Sequence, residues 1–291
     1  MTSYTVRDEE FVLLQGKTIL IVGGTTGIGR AMVELAVARG ARVAIGDWNP
    51  DARALEALAT DRVLFQQCDV SQWVDVLSLF EAAHARFGTI HAVVSNAGIN
   101  THEDLLVDGC DPATGGLQAP SIRSLEVNLI GQLYVARCAL HFFARWPDTR
   151  CQLVMTSSAG AFFPAPPLYQ YCAAKAGVLG LMRALRSEVI KRNVSVNVVA
   201  PWLTVTPMLL PEWLETWGAL PKNSSEGVAR VLLLPLLRPN LNGKSFFVAG
   251  DRAVELEESL ERTQPQWMGE ELCAQVRKGQ RLLLGLESPE P

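Results

Sequence analysis

Lys17-Thr18-Ile19-Leu20-Ile21-Val22-Gly23-Gly24-Thr25-Thr26-Gly27-Ile28-Gly29 reads as a strand running straight into a glycine turn. Thr18 to Val22 is an apolar, β-branched run of strand length. Beyond the turn, Ile28, Met32, Leu35 and Ala36 recur at helical spacing until Gly40 stops the helix. A second strand, Ala41 to Gly46, ends at Asp47. In this order the glycines let backbone N–H groups approach a pyrophosphate at the helix N-terminus, where the helix dipole favours negative charge. An acid about 20 residues past the turn accepts hydrogen bonds from adenosine ribose hydroxyls.

Strands and helices keep alternating from Lys17 to Gly250. The expected architecture is α/β: one Rossmann-type domain with a doubly wound parallel sheet of about seven strands, helices on both faces. The strands are expected near Thr18–Val22, Arg42–Ile45, Val63–Gln66, Ala92–Ser95, Leu153–Thr156, Ser195–Val199 and Ser245–Val248. Two long helices are expected, over Ser121 to Trp146 and Tyr169 to Arg192. Residues 1–16 form an N-terminal extension, 17–250 the catalytic domain and 251–291 a charged C-terminal extension. With 291 residues and 48% hydrophobic content, the chain can bury a substantial core.

The bulk properties exclude several function classes. A formal net charge of −4 offers nucleic acid no electrostatic footprint. The N-terminus carries Asp8, Glu9 and Glu10 where a signal peptide needs a basic and then an apolar stretch. No run reaches the ~20 apolar residues of a membrane span, and Val231 to Leu237 is broken by Pro235. Cys68, Cys110, Cys138, Cys151, Cys172 and Cys273 have neither metal-ligand nor disulfide-framework spacing. The expectation is a soluble, cytoplasmic protein without a metal.

Tyr171-Cys172-Ala173-Ala174-Lys175 adds chemistry to this scaffold. Tyrosine and lysine four apart on a helix share a face. At ~4 Å and an effective dielectric of ~20 their attraction is about 4 kcal/mol, roughly a thousandfold in the phenol's acidity. A phenol with pKa ~10 is a poor base at neutral pH, whereas one lowered to about 7 works in either direction. Tyr169 competes for the role but stands six residues from Lys175, where the helical faces diverge.

Together these motifs resemble the short-chain dehydrogenase/reductase family over about Lys17 to Gly250. Val22 to Gly29 is similar to the family's cofactor turn, with Val22 where threonine is usual. Asp69-Val70 matches the pair that lies along adenine, and Asn96-Ala97-Gly98 the family's Asn-Ala-Gly. Asn128 matches the helical catalytic asparagine, and Ser157-Ser158-Ala159-Gly160 the segment with the catalytic serine. Family spacing selects Ser158; adjacent strand residues point to opposite faces, so only one of the two serines can face the tyrosine. Pro201 to Thr206 stands where the family has Pro-Gly and a downstream threonine, with Trp202 in place of the glycine. The Asp47-Trp48-Asn49 strand end and the long tail resemble fungal secondary-metabolism and hydroxyprostaglandin-dehydrogenase-like members.

The resemblance implies hydride transfer between nicotinamide and a carbinol or carbonyl carbon. Tyr171 is then the general acid/base, Ser158 holds the substrate oxygen, Lys175 lowers the Tyr171 pKa and binds the nicotinamide ribose, and Asn128 holds a water. The implied cofactor contacts are Gly23, Thr25, Thr26, Gly27, Ile28, Gly29, Asp47, Trp48, Asp69, Val70, Asn96, Ala97, Gly98, Tyr171, Lys175, Pro201, Thr204 and Thr206. The two long helices imply a homodimer or homotetramer, and residues 201–223 a substrate lid. A carboxylate at Asp47 suits a free 2′-hydroxyl and repels a 2′-phosphate, which predicts NAD over NADP. Arg42 and Arg53 are the nearby cations that keep NADP as the alternative.

Phe162, Phe163, Trp202, Leu203, Met208 and Trp213 predict an apolar pocket for a bulky lipophilic, polyketide- or terpenoid-like secondary alcohol or ketone. Residues 101–120, rich in Gly, Pro and Asp, are expected as a substrate-facing or interface loop. Two alternatives share the motifs: an isomerase or cyclase without net redox, and a nucleotide-binding protein without turnover.

Overall fold

A computed structural model of the chain describes residues 2–286, apart from 49–51, 59, 102–104, 107–108, 112 and 210. Within them the strands are β1 (Thr2–Tyr4), β2 (Thr18–Val22), β3 (Arg42–Asp47), β4 (Val63–Gln67), β5 (Ala92–Ser95), β6 (Cys151–Thr156), β7 (Val194–Pro201), β8 (Ser245–Ala249) and β9 (Arg252–Glu255). The helices are α1 (Gly27–Ala38), α2 (Ala52–Leu58), α3 (Trp73–Phe87), α4 (Arg123–Leu125), α5 (Gly131–Phe143), α6 (Tyr169–Val189), α7 (Pro211–Trp217), α8 (Ser225–Leu237), α9 (Glu257–Met268) and α10 (Glu270–Leu283). A π-helical turn, Glu126–Ile130, joins α4 to α5, so the first long helix of the sequence reading is one interrupted rod.

The strands form one sheet in the order β1-β9-β8-β7-β6-β5-β2-β3-β4. β2 to β8 pair in parallel, each at the place the sequence predicts. All five residues of β2 are buried, as a strand covered on both faces requires. Their side chains alternate: Leu20 and Val22 join the core under α3, α5 and α6, while Ile19 and Ile21 join the core under α1 and α8.

Two antiparallel strands extend the sheet beyond the predicted seven. β8 turns back into β9 through Gly250 and Asp251, both at positive φ, pairing Ala249 with Arg252. A two-residue hairpin needs such residues, and the Gly-Asp pair was its sequence signal. β1 then adds to β9, with Thr2 opposite Glu255. The terminal extensions therefore close one edge of the sheet together. Arg238 grips Glu10 through two hydrogen bonds of 2.8 and 3.0 Å, and Arg230 pairs with Asp8. Phe11 and Leu14 are fully buried against the α8 side of the core. At the other terminus, Arg183 of α6 holds Glu257 of α9 at 2.8 and 2.9 Å.

Four of the six cysteines (Cys68, Cys138, Cys151 and Cys273) are buried, and all six are free thiols. Burial pushes the Cys68 and Cys151 thiols up to about 12. No helix among the described residues is long and apolar enough to cross a membrane, and no group of side chains among them could hold a metal.

Phe11 tests whether the N-terminal extension belongs to the core. Phe11→Ala is expected to cost about 3–5 kcal/mol in urea unfolding; a loss below about 1 kcal/mol would mean that the segment merely rests on the domain.

Candidate active site

The strand order reverses between β2 and β5, and a crevice opens beyond the carboxyl ends of the parallel strands at such a point. Here it is a cleft of about 950 Å³. The loops after β2 and β5 meet at its floor. The Asn96 and Ala97 N–H groups both donate to the Val22 carbonyl, and Asn96 Nδ2 donates to the Gly23 carbonyl at 2.9 Å. A Cβ on Gly23, whose φ is 80°, would stand 2.6 Å from the Ala97 backbone, so this approach demands glycine.

Gly23, Thr26, Gly27 and Ile28 line the cleft, and Gly29 does not. Gly29 acts behind it: a Cβ there would lie 1.7 Å from the Gly23 carbonyl oxygen, so only glycine lets α1 start against the turn. Thr26, the N-cap of α1, makes no side-chain cap, and the first turn carries no acid. The helix thus offers the cleft its uncapped N–H groups and positive dipole end, the donor set that a diphosphate needs. Thr25 also leaves the predicted contact set. It is fully buried outside the cleft, and its N–H donates to Asp47 Oδ2 at 3.0 Å, which aims that carboxylate. Asp47 and the largely exposed Trp48 line the same end, fitting the ribose of a dinucleotide. Asp69 and Val70 follow beyond β4, with Asp69 paired to Arg123 at 2.8 Å. Asn49 and Leu210 lie outside the described residues, as does part of the 101–120 loop.

The other end gathers Asn128, Ser158, Tyr171 and Lys175. Asn128 sits in the π-helical turn and is fully buried. Its Oδ1 accepts the Ile99 N–H at 3.1 Å, and its Nδ2 donates to the Ile99 carbonyl at 2.8 Å. A widened turn of this kind often marks a functional position. Ser157 and Ser158 separate as strand geometry requires. Ser157 is buried and donates to the Lys175 carbonyl at 2.7 Å, while the half-buried Ser158 hydrogen-bonds the Tyr171 phenol.

Lys175 is only 3% exposed; its Nζ donates to the Thr156 carbonyl at 3.0 Å and lies 5.5 Å from the centre of the Tyr171 ring. Burial drives the ammonium down from 10.5 to about 8. The expected lowering of Tyr171 is not found. Burial raises the phenol, against a lowering pull from the Ser158 hydrogen bond. The Lys175 Nζ is turned instead to the Thr156 carbonyl on β6.

Pro201, Thr204 and Thr206 line the cleft with Leu203, Met208 and Trp213. Thr206 lies against Gly27: a Cβ there would meet its Cγ2 at 3.3 Å. Trp202, held by its N–H to the Val248 carbonyl at 2.8 Å, forms a wall with Phe163, Trp217 and Phe247 at ring-centre distances of 5.8, 5.2 and 6.0 Å. Phe162 is a correction, since it packs on the core beneath α5 and α6 and does not reach the cleft. Arg123, Thr156 and Asn100 line the cleft without having been foreseen. Arg123 stands 54 residues from Asp69, a pairing that no local pattern announces.

The family model described as short chain dehydrogenase matches residues 17–215. The short-chain dehydrogenase/reductase prx4 of Penicillium rubens is 30% identical, covering 92% of this chain and 85% of its own. The 5′-hydroxyaverantin dehydrogenase of Dothistroma septosporum is 28% identical, covering 89% and 92%. Among solved structures, a 3-ketoacyl-(acyl-carrier-protein) reductase from Brucella melitensis complexed with NADH superposes with a TM-score of 0.70 at 26% identity, covering 81% of this chain and 98% of that one.

Lys175 also sets a stability test. Its folded pKa of about 8 lies below the unfolded 10.5, so the fold carries the full penalty of a buried charge below pH 8. The penalty is relieved as pH rises from 8 to 10.5, where the fold prefers the neutral amine. Lys175→Met is therefore expected to be more stable than the parent at pH 7, by on the order of 3 kcal/mol at most, with the gap narrowing across that window. Thermal melts at pH 7 and pH 10 check this; a variant less stable at pH 7 would refute it.

Proposed function

The chain belongs to the short-chain dehydrogenase family, and on that premise we propose an NAD-dependent dehydrogenase that interconverts a secondary alcohol and a ketone on a bulky lipophilic molecule, with Tyr171 as general acid/base. Membership makes it an oxidoreductase of CH–OH groups using a nicotinamide cofactor. The observation that carries the finer reading is the convergence of Tyr171, Ser158 and Lys175 on the cleft that also holds the uncapped helix end and Asp47.

A bound nicotinamide supplies the hydride acceptor or donor. In the reductive direction the raised Tyr171 phenol is protonated and donates to the ketone oxygen, while Ser158 holds that oxygen by a hydrogen bond. In the oxidative direction Tyr171 takes the carbinol proton as a phenolate, and the Lys175 cation is the chain's own charge that offsets it. Asn128 fixes the Ile99 backbone beside Lys175 and is proposed to hold the water that links the ammonium to solvent. Asp47 keeps one oxygen on the Thr25 N–H and offers the other to a free ribose 2′-hydroxyl, which supports NAD over NADP.

The wall of Phe163, Trp202 and Trp217 in a 950 Å³ cleft supports a bulky apolar substrate. The fungal relatives, one of them named for 5′-hydroxyaverantin, support a place in secondary metabolism. An α6 face of Ala173, Ala176, Gly180 and Ala184, all exposed, supports close packing of a second copy as a homodimer or homotetramer.

Tyr171→Phe is expected to lower kcat for NADH formation from lipophilic secondary alcohols by about 10²–10⁴-fold. Product formation that persists in this variant without net NADH change would favour an isomerase instead. Asp47→Ala is expected to raise kcat/KM with NADP relative to NAD by at least about tenfold; an unchanged ratio would remove Asp47 from cofactor selection.

A further inference from the structure

A second pocket, of about 520 Å³, opens at the opposite edge of the sheet, where β2 and β3 begin and α1 and α3 end. Three arginines line it. Arg42 is the first residue of β3, Arg62 directly precedes β4, and Arg86 lies in the last turn of α3. None of the three joins an ion pair among the described residues. Asp61 is the one acid in the lining, so three guanidiniums against one carboxylate leave a formal charge of +2 in a chain whose net charge is −4.

These cations are held in place with most of their donors unused. Arg42 Nη2 donates to the Gly16 carbonyl at 3.1 Å, and Arg86 Nη2 to the Asp61 carbonyl at 3.3 Å. Both guanidiniums lie over the Phe87 ring, at 6.0 and 5.8 Å from its centre. Arg62 comes in beside Gly40, where a Cβ would stand 3.2 Å from its Nη1. The Arg42 Nε is buried and has no acceptor. A guanidinium carries five N–H donors, so each fork keeps several free. Helix C-termini attract cations, and α1 and α3 both end here, each worth roughly half a negative charge. Those two ends offset about one positive charge and leave a surplus, and like charges gathered without a counter-ion repel one another.

We propose that this pocket is a binding site for a phosphate-class oxyanion of two or more charges, such as a diphosphate, gripped by Arg42, Arg62 and Arg86. The guanidinium fork matches the spacing of phosphate oxygens, which an ammonium does not. The site is separate from the candidate active-site cleft: Arg42 starts β3 at this edge, whereas Asp47 ends the same strand at the cleft. It therefore does not depend on the dehydrogenase reading.

The test is titration calorimetry of the full chain with inorganic pyrophosphate, and with acetate as the singly charged control, without and with saturating NADH. NADH is there to block the α1 N-terminus, the other place where a diphosphate would settle. The parent is expected to bind pyrophosphate with NADH present, about tenfold or more tighter than acetate. Arg62→Ala and Arg86→Ala, both at exposed side chains, are each expected to weaken pyrophosphate by about tenfold, and Arg62→Lys to recover part of the loss. Asp61→Asn is expected to tighten it by about threefold, a gain that no folding defect imitates. No binding, binding that NADH abolishes, or an unchanged Kd across the variants would overturn the inference. Weaker binding by Asp61→Asn, or equal affinity for acetate, would overturn it as well. Each of these leaves the dehydrogenase reading intact; a chain that binds no NADH sinks that reading alone, and the variants still decide this one.

Discussion

Keeping an ammonium out of water is the constraint around which the cleft is arranged. Lys175 is buried, burial alone acts on its charge, and a buried cation without compensation is costly. Its support is dipolar: the Thr156 carbonyl in front and the Tyr171 ring at one side. That carbonyl also accepts Gln132 Nε2, and the Thr156 hydroxyl donates to Asn96 Oδ1. Asn96 in turn holds the Gly23 carbonyl. A continuous polar chain therefore joins the glycine turn, the ends of β5 and β6, and the lysine. The two halves of the cleft cannot shift independently.

Most of the scaffold was legible because it is written in periodicity. Seven strands fell where β-branched runs met turn residues. What was missed is non-local. β1 spans three residues and is a strand only because β9 exists to pair with it. Thr25 and Gly29 sit inside the turn motif yet serve its packing, because a motif specifies a backbone path and not which side chains face the ligand. The sign of the Tyr171 shift was misread for a related reason: helical spacing gives proximity, while desolvation depends on everything packed around the pair.

Trp202 stands where the resemblance has a glycine. Its backbone is tied at both sides, by the N–H to Val248 and by Asn223, whose Nδ2 donates to the Trp202 and Val248 carbonyls. The indole therefore projects from a fixed strand end into the aromatic group with Phe163 and Trp217. Phe163 comes from the segment before α6 and Trp217 from the end of α7. Bulk just beyond β7 thus brings two separate segments of the chain into one aromatic group.

The pairing of Thr2 with Glu255 has a bearing on biosynthesis. On the ribosome β1 is made some 250 residues before the strand that pairs with it, and until then its backbone groups are unsatisfied. The sheet can assemble from the middle outward meanwhile, but this border is sealed only once β9 has emerged. A nascent chain truncated before Arg252 would keep the β8 edge open, the kind of surface on which chaperones and aggregates compete.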